Sequence, residues 1–162
     1  MSSRLNHPRA NNELRPLFYL FVVATVGERP LGIQAGQIVS IAQWSKSQFP
    51  RQNVTLLADG PRSSLFSLIA AAQAGDAVQA VDLSRSFGSL QEIIESDFAA
   101  NQYPELFCFG LLDQFDVLQL AAIVAPRPVF FHHSSQPAQA HLKPLAGWYA
   151  TLGKKHNPIA GE

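Results

Sequence analysis

Hydrophobic and polar positions fall into blocks along the chain, and each block predicts an element. The first long apolar run spans residues 17–26. It is too short to cross a bilayer, which needs about 20 apolar residues in a helix. Its aromatic and β-branched members, Phe18, Tyr19, Phe21, Val22 and Val23, predict a buried strand. The alternative is the apolar core of an export signal, with Arg4, Arg9 and Arg15 ahead of it and polar Asn11, Asn12 and Glu13 between. A buried strand leaves the chain in the cytoplasm; a signal sends it out.

Further along, Ile33, Gly36, Gln37, Ser40, Ile41 and Trp44 recur at the three-and-four spacing of one helical face. They predict a helix over 31–47, with Pro30 ahead of it, where a missing N–H costs little, and Pro50 beyond it. Residues 53–59 read as a short apolar strand that stops at Gly60-Pro61. A helix over 64–74 follows, with Leu65, Leu68, Ile69 and Ala72 as its inner stripe and Gly75 as its stop. Residues 77–83 form the next predicted strand. Ser89 and Glu92 make a capping-box pattern for a helix over 89–98. The stretch 101–114 is loop-rich. A helix over 115–124 ends before Pro126 and Pro128, a strand covers 129–133, and a last helix covers 139–152 with Pro144 near its first turn.

Strands alternating with helices predict an α/β fold: a partial doubly wound, mainly parallel sheet flanked by helices and covered on both faces. Three strands, or four with the first apolar run, are few for such a fold, and would leave an uncovered sheet edge open to self-association. The expected organisation is a flexible segment over 1–13, one domain over 14–153 and a tail over 154–162.

Composition narrows the class. At 47% hydrophobic and 15% charged the chain is too apolar for disorder. Twelve Lys+Arg balance twelve Asp+Glu, so the positive surplus a phosphate-backbone binder needs is missing. The single cysteine, Cys108, excludes an internal disulfide, and between Phe107 and Phe109 it reads as an apolar filler. No metal or other cofactor is expected: His133 and His141 share a His-x7-His spacing, but no nearby carboxylate or thiol completes a ligand set. His156, in the tail, reads as exposed. Asp116 suits the start of the helix after it, and Asp59 could steady the turn at Gly60.

Candidate chemistry concentrates in the strand-to-helix connection Asp59-Gly60-Pro61-Arg62-Ser63-Ser64. Such a connection is where α/β hydrolases present a nucleophilic serine in a Gly-x-Ser-x-Gly turn. Placing Gly60 on the first glycine puts Arg62, which cannot attack an ester, at the nucleophile position. A shift of one residue offers Ser63, and the second glycine is then still lacking. The competing reading is that Ser63 or Ser64 caps the helix. His132 and His133 end a predicted parallel strand, the edge at which open α/β sheets carry their sites.

The stretch Pro104-Glu105-Leu106-Phe107-Cys108-Phe109-Gly110-Leu111-Leu112-Asp113-Gln114-Phe115-Asp116, continuing Val117-Leu118-Gln119-Leu120-Ala121-Ala122-Ile123-Val124-Ala125-Pro126-Arg127-Pro128-Val129, resembles the late part of acetyl-xylan-esterase-like and dienelactone-hydrolase-like α/β hydrolases. Ala125-Pro126-Arg127-Pro128 is its most specific portion, and the likeness runs over about residues 30–153, with the earlier elements in the order the family would place them. The resemblance implies a serine esterase that forms and hydrolyses an acyl-enzyme. The departures from it are at the reactive positions. Arg62 stands for the nucleophile, the turn His132-His133-Ser134-Ser135-Gln136-Pro137 has no carboxylate for the family's acid, and the family histidine lies beyond a strand the sequence does not reach. The amino-terminal strands of the family sheet are also not in the sequence.

Three functional expectations follow. The first is a domain of this family, truncated or catalytically degenerate. The second is an active serine carboxylic-ester hydrolase using Ser63, with His133 as a displaced base. The third is a non-catalytic interaction or carbohydrate-binding module on the same scaffold. The implied ligand is an acylated small molecule or a carbohydrate.

Overall fold

The computed structural model describes residues 15–108 and 110–159, with side chains from Phe18 onward. The polar segment over 1–13 therefore lies outside the described residues. In chain order the main elements are α1 (Arg15–Thr25), α2 (Pro30–Gln48), β1 (Thr55–Asp59), α3 (Pro61–Ala74), β2 (Ala80–Ser84), α4 (Gln91–Glu95), α5 (Leu111–Gln114), α6 (Val117–Val124), β3 (Val129–His132), α7 (Gln136–Leu142) and α8 (Pro144–Thr151). The chain is a mixed α/β fold around a three-stranded, all-parallel open sheet.

The strand order is β1-β2-β3, so the sheet advances in one direction as the chain proceeds. Right-handed crossovers then deliver every connecting helix to the same face. That face carries Leu56 and Ala58, Val81 and Leu83, and Val129 and Phe131, in register across the strands. They pack with Leu65, Leu68 and Ile69 of α3 and Leu120, Ala121 and Val124 of α6 in one core. The other face carries Thr55, Leu57, Asp59, Ala80, Asp82, Ser84, Phe130 and His132, none of them buried. Leu57 is 78% exposed. The expectation of two covered faces is thus corrected, and the reason is topological. A sheet wound in one direction has helices for one side only; covering both requires the winding to reverse.

The two edges of the sheet also differ. Beside β3, the Phe131 N–H donates to Pro158 O at 2.8 Å, and the His156 Nε2 lies 2.9 Å from Val129 O. Pro158 is buried and His156 is half-buried against Phe130 and Tyr149. His156 is therefore part of the packed fold, where its position in a polar tail suggested exposure. At the other edge, no strand among the described residues pairs with the outer side of β1. The first and third strands share the sheet in parallel with β2 between them.

The apolar run near the start is a helix, α1, and not a strand. A helix satisfies its own backbone, whereas a strand needs a partner, and Leu, Phe, Tyr and Ala are all compatible with either. Val23 is buried, but Phe18, Tyr19, Phe21 and Val22 are exposed. In α2 the helix is as predicted and the face is not. Leu31, Ala35 and Ala42 are buried, with Ile38 and Val39 beside them, while Ile41 and Trp44 are exposed. Small residues on α2 meet the small-residue face of α3, where Ser67, Ala70, Ala71 and Ala74 are buried. Close approach of the two helices favours alanine over the bulkier stripe. The last predicted helix is two helices, broken at Lys143 where Pro144 begins α8.

Arg127 locks this architecture from the side opposite the strand ends. Its guanidinium donates to Ala71 O at 2.8 Å, Gly75 O at 2.8 Å, Val78 O at 3.1 Å and Val124 O at 3.2 Å. The planar fork thereby closes the last turn of α3, the approach to β2 and the end of α6 together. Tyr149 of α8 donates to Arg127 O at 2.5 Å. Burial pushes the Tyr149 hydroxyl up to about 12, so it stays a donor across the ordinary pH range.

Candidate functional site

The carboxyl ends of the three parallel strands gather the residues with chemistry. At the end of β1 the chain turns sharply through Gly60, at φ 86° and ψ 162°, and enters α3 with Pro61 at its first position. A positive φ is the conformation glycine tolerates and other residues rarely adopt. Gly60 is therefore the apex of this turn, and no side chain leaves it. The Gly60 N–H donates to Ser84 O at 2.8 Å, which fixes the turn against β2.

Arg62 and Ser63 follow within the first turn of the helix, each with a partner. Arg62 forms an ion pair with Glu105, a residue only 5% exposed, and lies 6.0 Å from the Tyr103 ring centroid. The Ser63 hydroxyl donates to Asp59 O at 2.5 Å, with Gly60 O at 3.3 Å. This is local backbone bonding by a serine in the first helical turn, and it directs the proton towards the strand carbonyl. Capping of the helix by the Ser63 or Ser64 side chain, the other expectation, does not occur at α3. Ser64 and Ser86 are buried instead, and their hydroxyls line a cavity of about 10 Å³ with Pro61, Leu65, Phe87 and Leu90. Neither hydroxyl has a hydrogen-bond partner among the described residues.

At the end of β3, His133 adopts φ 52° and is exposed. Ser63 and His133 follow strands separated by β2. Adjacent strands lie about 4.8 Å apart, so the two strand ends are nearly 10 Å apart at the backbone. No hydrogen bond joins Ser63 to His133.

The open sheet face holds a different set of polar groups. Asp59, Ser84 and His132 form one row across the strands, and Leu57, Asp82 and Phe130 form the next. The His132 Nε2 is 3.2 Å from Asp82 Oδ1. Asp59 pairs with Arg85, whose Nε donates to Asp59 Oδ1 at 2.8 Å. The Arg85 guanidinium, helped by the Ser84 hydroxyl, holds the Asp59 carboxyl below its ordinary 3.8. The period-two rule could have found the Asp82–His132 pair. Val81 and Leu83 point inward, so Asp82 points outward; Val129 and Phe131 do the same for His132. Register, which brings the two residues together, is set by long-range pairing and was not readable.

The remaining candidates have structural positions. Asp116 caps α6 in a capping box with Gln119. Its carboxylate also accepts from Leu90 N–H at 2.7 Å and from Ser89 Oγ at 2.5 Å. Glu92 reaches back to Ser89 N–H at 3.1 Å, as the capping pattern expects, whereas the Ser89 hydroxyl turns to Asp116. His141 and Asp113 are exposed. Burial pushes the Cys108 thiol above its ordinary 9.0. No group of three His, Cys, Asp or Glu side chains among the described residues could hold a metal. Among the described residues, no single helix is long and apolar enough to cross a membrane.

No protein-family model, curated protein or solved structure matches the chain. The reading of the site therefore rests on its own geometry.

Proposed function

We propose that the chain is an α/β-hydrolase-type scaffold, acetyl-xylan-esterase-like in its later half, that does not hydrolyse esters. The observation that carries this is Gly60 at the apex of the strand-to-helix turn. In a nucleophile elbow the serine occupies that apex, with small residues two positions to either side. Counting from the apex gives Ala58 and Arg62 as those flanks, so the nucleophile position has no side chain. Arg62 then replaces the second glycine of the motif and not the serine. This differs by two residues from the alignment that began at Gly60 as first glycine, and it explains why a long side chain is accommodated there: it leaves the turn for Glu105.

The nearest hydroxyl, Ser63, is no substitute. An activated serine needs a base within about 3 Å of its oxygen, and the Ser63 proton is given to Asp59 O. The turn after β3 supplies His133 without a carboxylate beside it in sequence. A scaffold with these features can still present a binding surface, and its exposed polar face with Asp82 and His132 suits a ligand rich in hydroxyls, such as a carbohydrate.

Hydrolysis of a p-nitrophenyl acyl ester by the purified chain, beside Ser63→Ala, tests the proposal. The expected rate is that of buffer for both proteins, with no adduct from a serine-directed fluorophosphonate. Turnover that Ser63→Ala abolishes, together with an adduct on Ser63, would establish the alternative of an active esterase.

A further inference from the structure

We infer that the open edge of β1 is a homodimer interface, in which two copies pair β1 antiparallel about a two-fold axis to make one six-stranded sheet. Four observations support a second copy as the occupant. First, among the described residues one edge is protected and the other is not: the chain's own 156–159 segment lies along β3, and no described segment covers β1. Second, β1 carries few of the devices that keep edge strands apart, Asp59 at its end being its one charge. Thr55–Asp59 contains no lysine and no proline, and its register with β2 runs without a bulge.

Third, the backbone polarity fits. The Gly60 N–H points into the sheet, towards Ser84 O. By the two-residue alternation of a parallel ladder, the N–H and C=O groups of Thr55, Leu57 and Asp59 point outward. Leu57 is the midpoint of the five-residue strand. A two-fold axis through it sets Leu57 opposite Leu57 of the second copy as a hydrogen-bonded pair. Thr55 then faces Asp59 of the second copy, and the outward groups pair in about six hydrogen bonds, with Asp59 O, which already accepts from the Ser63 hydroxyl, using its second lone pair. The same register places the two Leu57 side chains side by side on the open face, covering the most exposed large apolar residue among the described ones, at 78%.

Fourth, the charges are compatible with self-pairing. The only charge in β1 is Asp59, already neutralised by its own Arg85, and the register sets it against a threonine and not against itself. The chain as a whole has a formal net charge of zero, so two copies do not repel.

Sedimentation velocity of the full chain from micromolar to sub-millimolar concentration tests this, with Leu57→Lys and, as a control at the apolar groove between α6 and α8, Trp148→Lys. The expected result is a monomer–dimer equilibrium that Leu57→Lys weakens at least about tenfold, as a charge on an edge strand should, and that Trp148→Lys leaves unchanged. A wild-type chain that stays monomeric throughout overturns the proposal. So does a dimer that survives Leu57→Lys, or one that only Trp148→Lys disrupts. If Leu57→Lys fails to fold by circular dichroism, amide exchange on the wild type decides. The Thr55 and Leu57 amides should be protected at high concentration and lose protection on dilution; exchange independent of concentration refutes the interface. Dimerisation is independent of ester turnover, so either result can fail alone.

Discussion

Arg62 shows how a residue can look like a damaged catalytic position and have a different task. It compensates Glu105, whose carboxylate sits in the interior while the arginine remains half exposed. Removing the arginine leaves a buried acceptor unpaired, a loss of about 1–3 kcal/mol for such groups. Arg62→Ala should therefore lower the free energy of urea unfolding by an amount in that range, whereas Arg62→Ala together with Glu105→Gln should recover part of it. Asp59 is the contrasting case, since it is exposed and its ion pair with Arg85 lies in solvent. Its folded-state pKa is depressed, so its contribution to stability is present above the ordinary carboxylate value and is lost as pH falls through the depressed one. An NMR titration should put the Asp59 carboxyl midpoint below 3.8, and Arg85→Gln should return it towards that value. Neither pairing was readable in the sequence. Arg62 and Glu105 are far apart in the chain, and Asp59 meets Arg85 only because β1 and β2 run in parallel register.

At the scale of elements, the sequence carried the order of helices and strands because local signals placed them. The strands TLLAD, AVDLS and VFFH are short, apolar and bounded by turn residues; the first and third form within the spans predicted for them, and the second starts three residues late and runs one residue past its predicted end. What failed needed partners to decide it. The α1 run is apolar enough for a strand, and only the lack of a neighbour to pair with makes it a helix. In α2 two apolar rows compete, and the contact with α3 selects the one with alanines. Asp116 was legible as a helix start; its second role, holding Ser89 and Leu90 beside α6, was not. Asp116→Ala removes a cap worth about 1 kcal/mol and also strands a buried N–H and a hydroxyl that had bonded to a charge, so the expected loss is about 2–4 kcal/mol. Chemical denaturation should show that loss, and amide exchange should rise at Leu90 and Val117 before the strands are affected. An effect confined to α6 would mean that the contacts to Ser89 and Leu90 contribute little.

For the whole molecule, the decisive feature is that, among the described residues, winding in a single direction leaves one sheet face bare, and the outer side of β1 is an edge without a partner. The candidate site follows from the same topology: parallel strands ending together bring Gly60, Ser84 and His132 to one rim, though the sequence could say only that each ends a strand. The segment over 156–159 is what keeps the bare edges to one per copy. Deleting residues 154–162 removes the Phe131–Pro158 hydrogen bond and the His156 contact with Val129 O, and exposes Tyr149. Two hydrogen bonds at about 1 kcal/mol each and the loss of buried apolar surface predict a destabilisation of about 2–4 kcal/mol. The change in assembly should be larger. A copy with one open edge pairs once and closes, whereas a copy with two can pair at both and has no geometric limit. Sedimentation of the shortened chain should therefore show a concentration-dependent series extending beyond the dimer, and Leu57→Lys in that background should end the series by blocking one of the two edges. A shortened chain that unfolds more readily yet stops at the same size as the full one would mean that the segment supports the core without guarding the edge of β3.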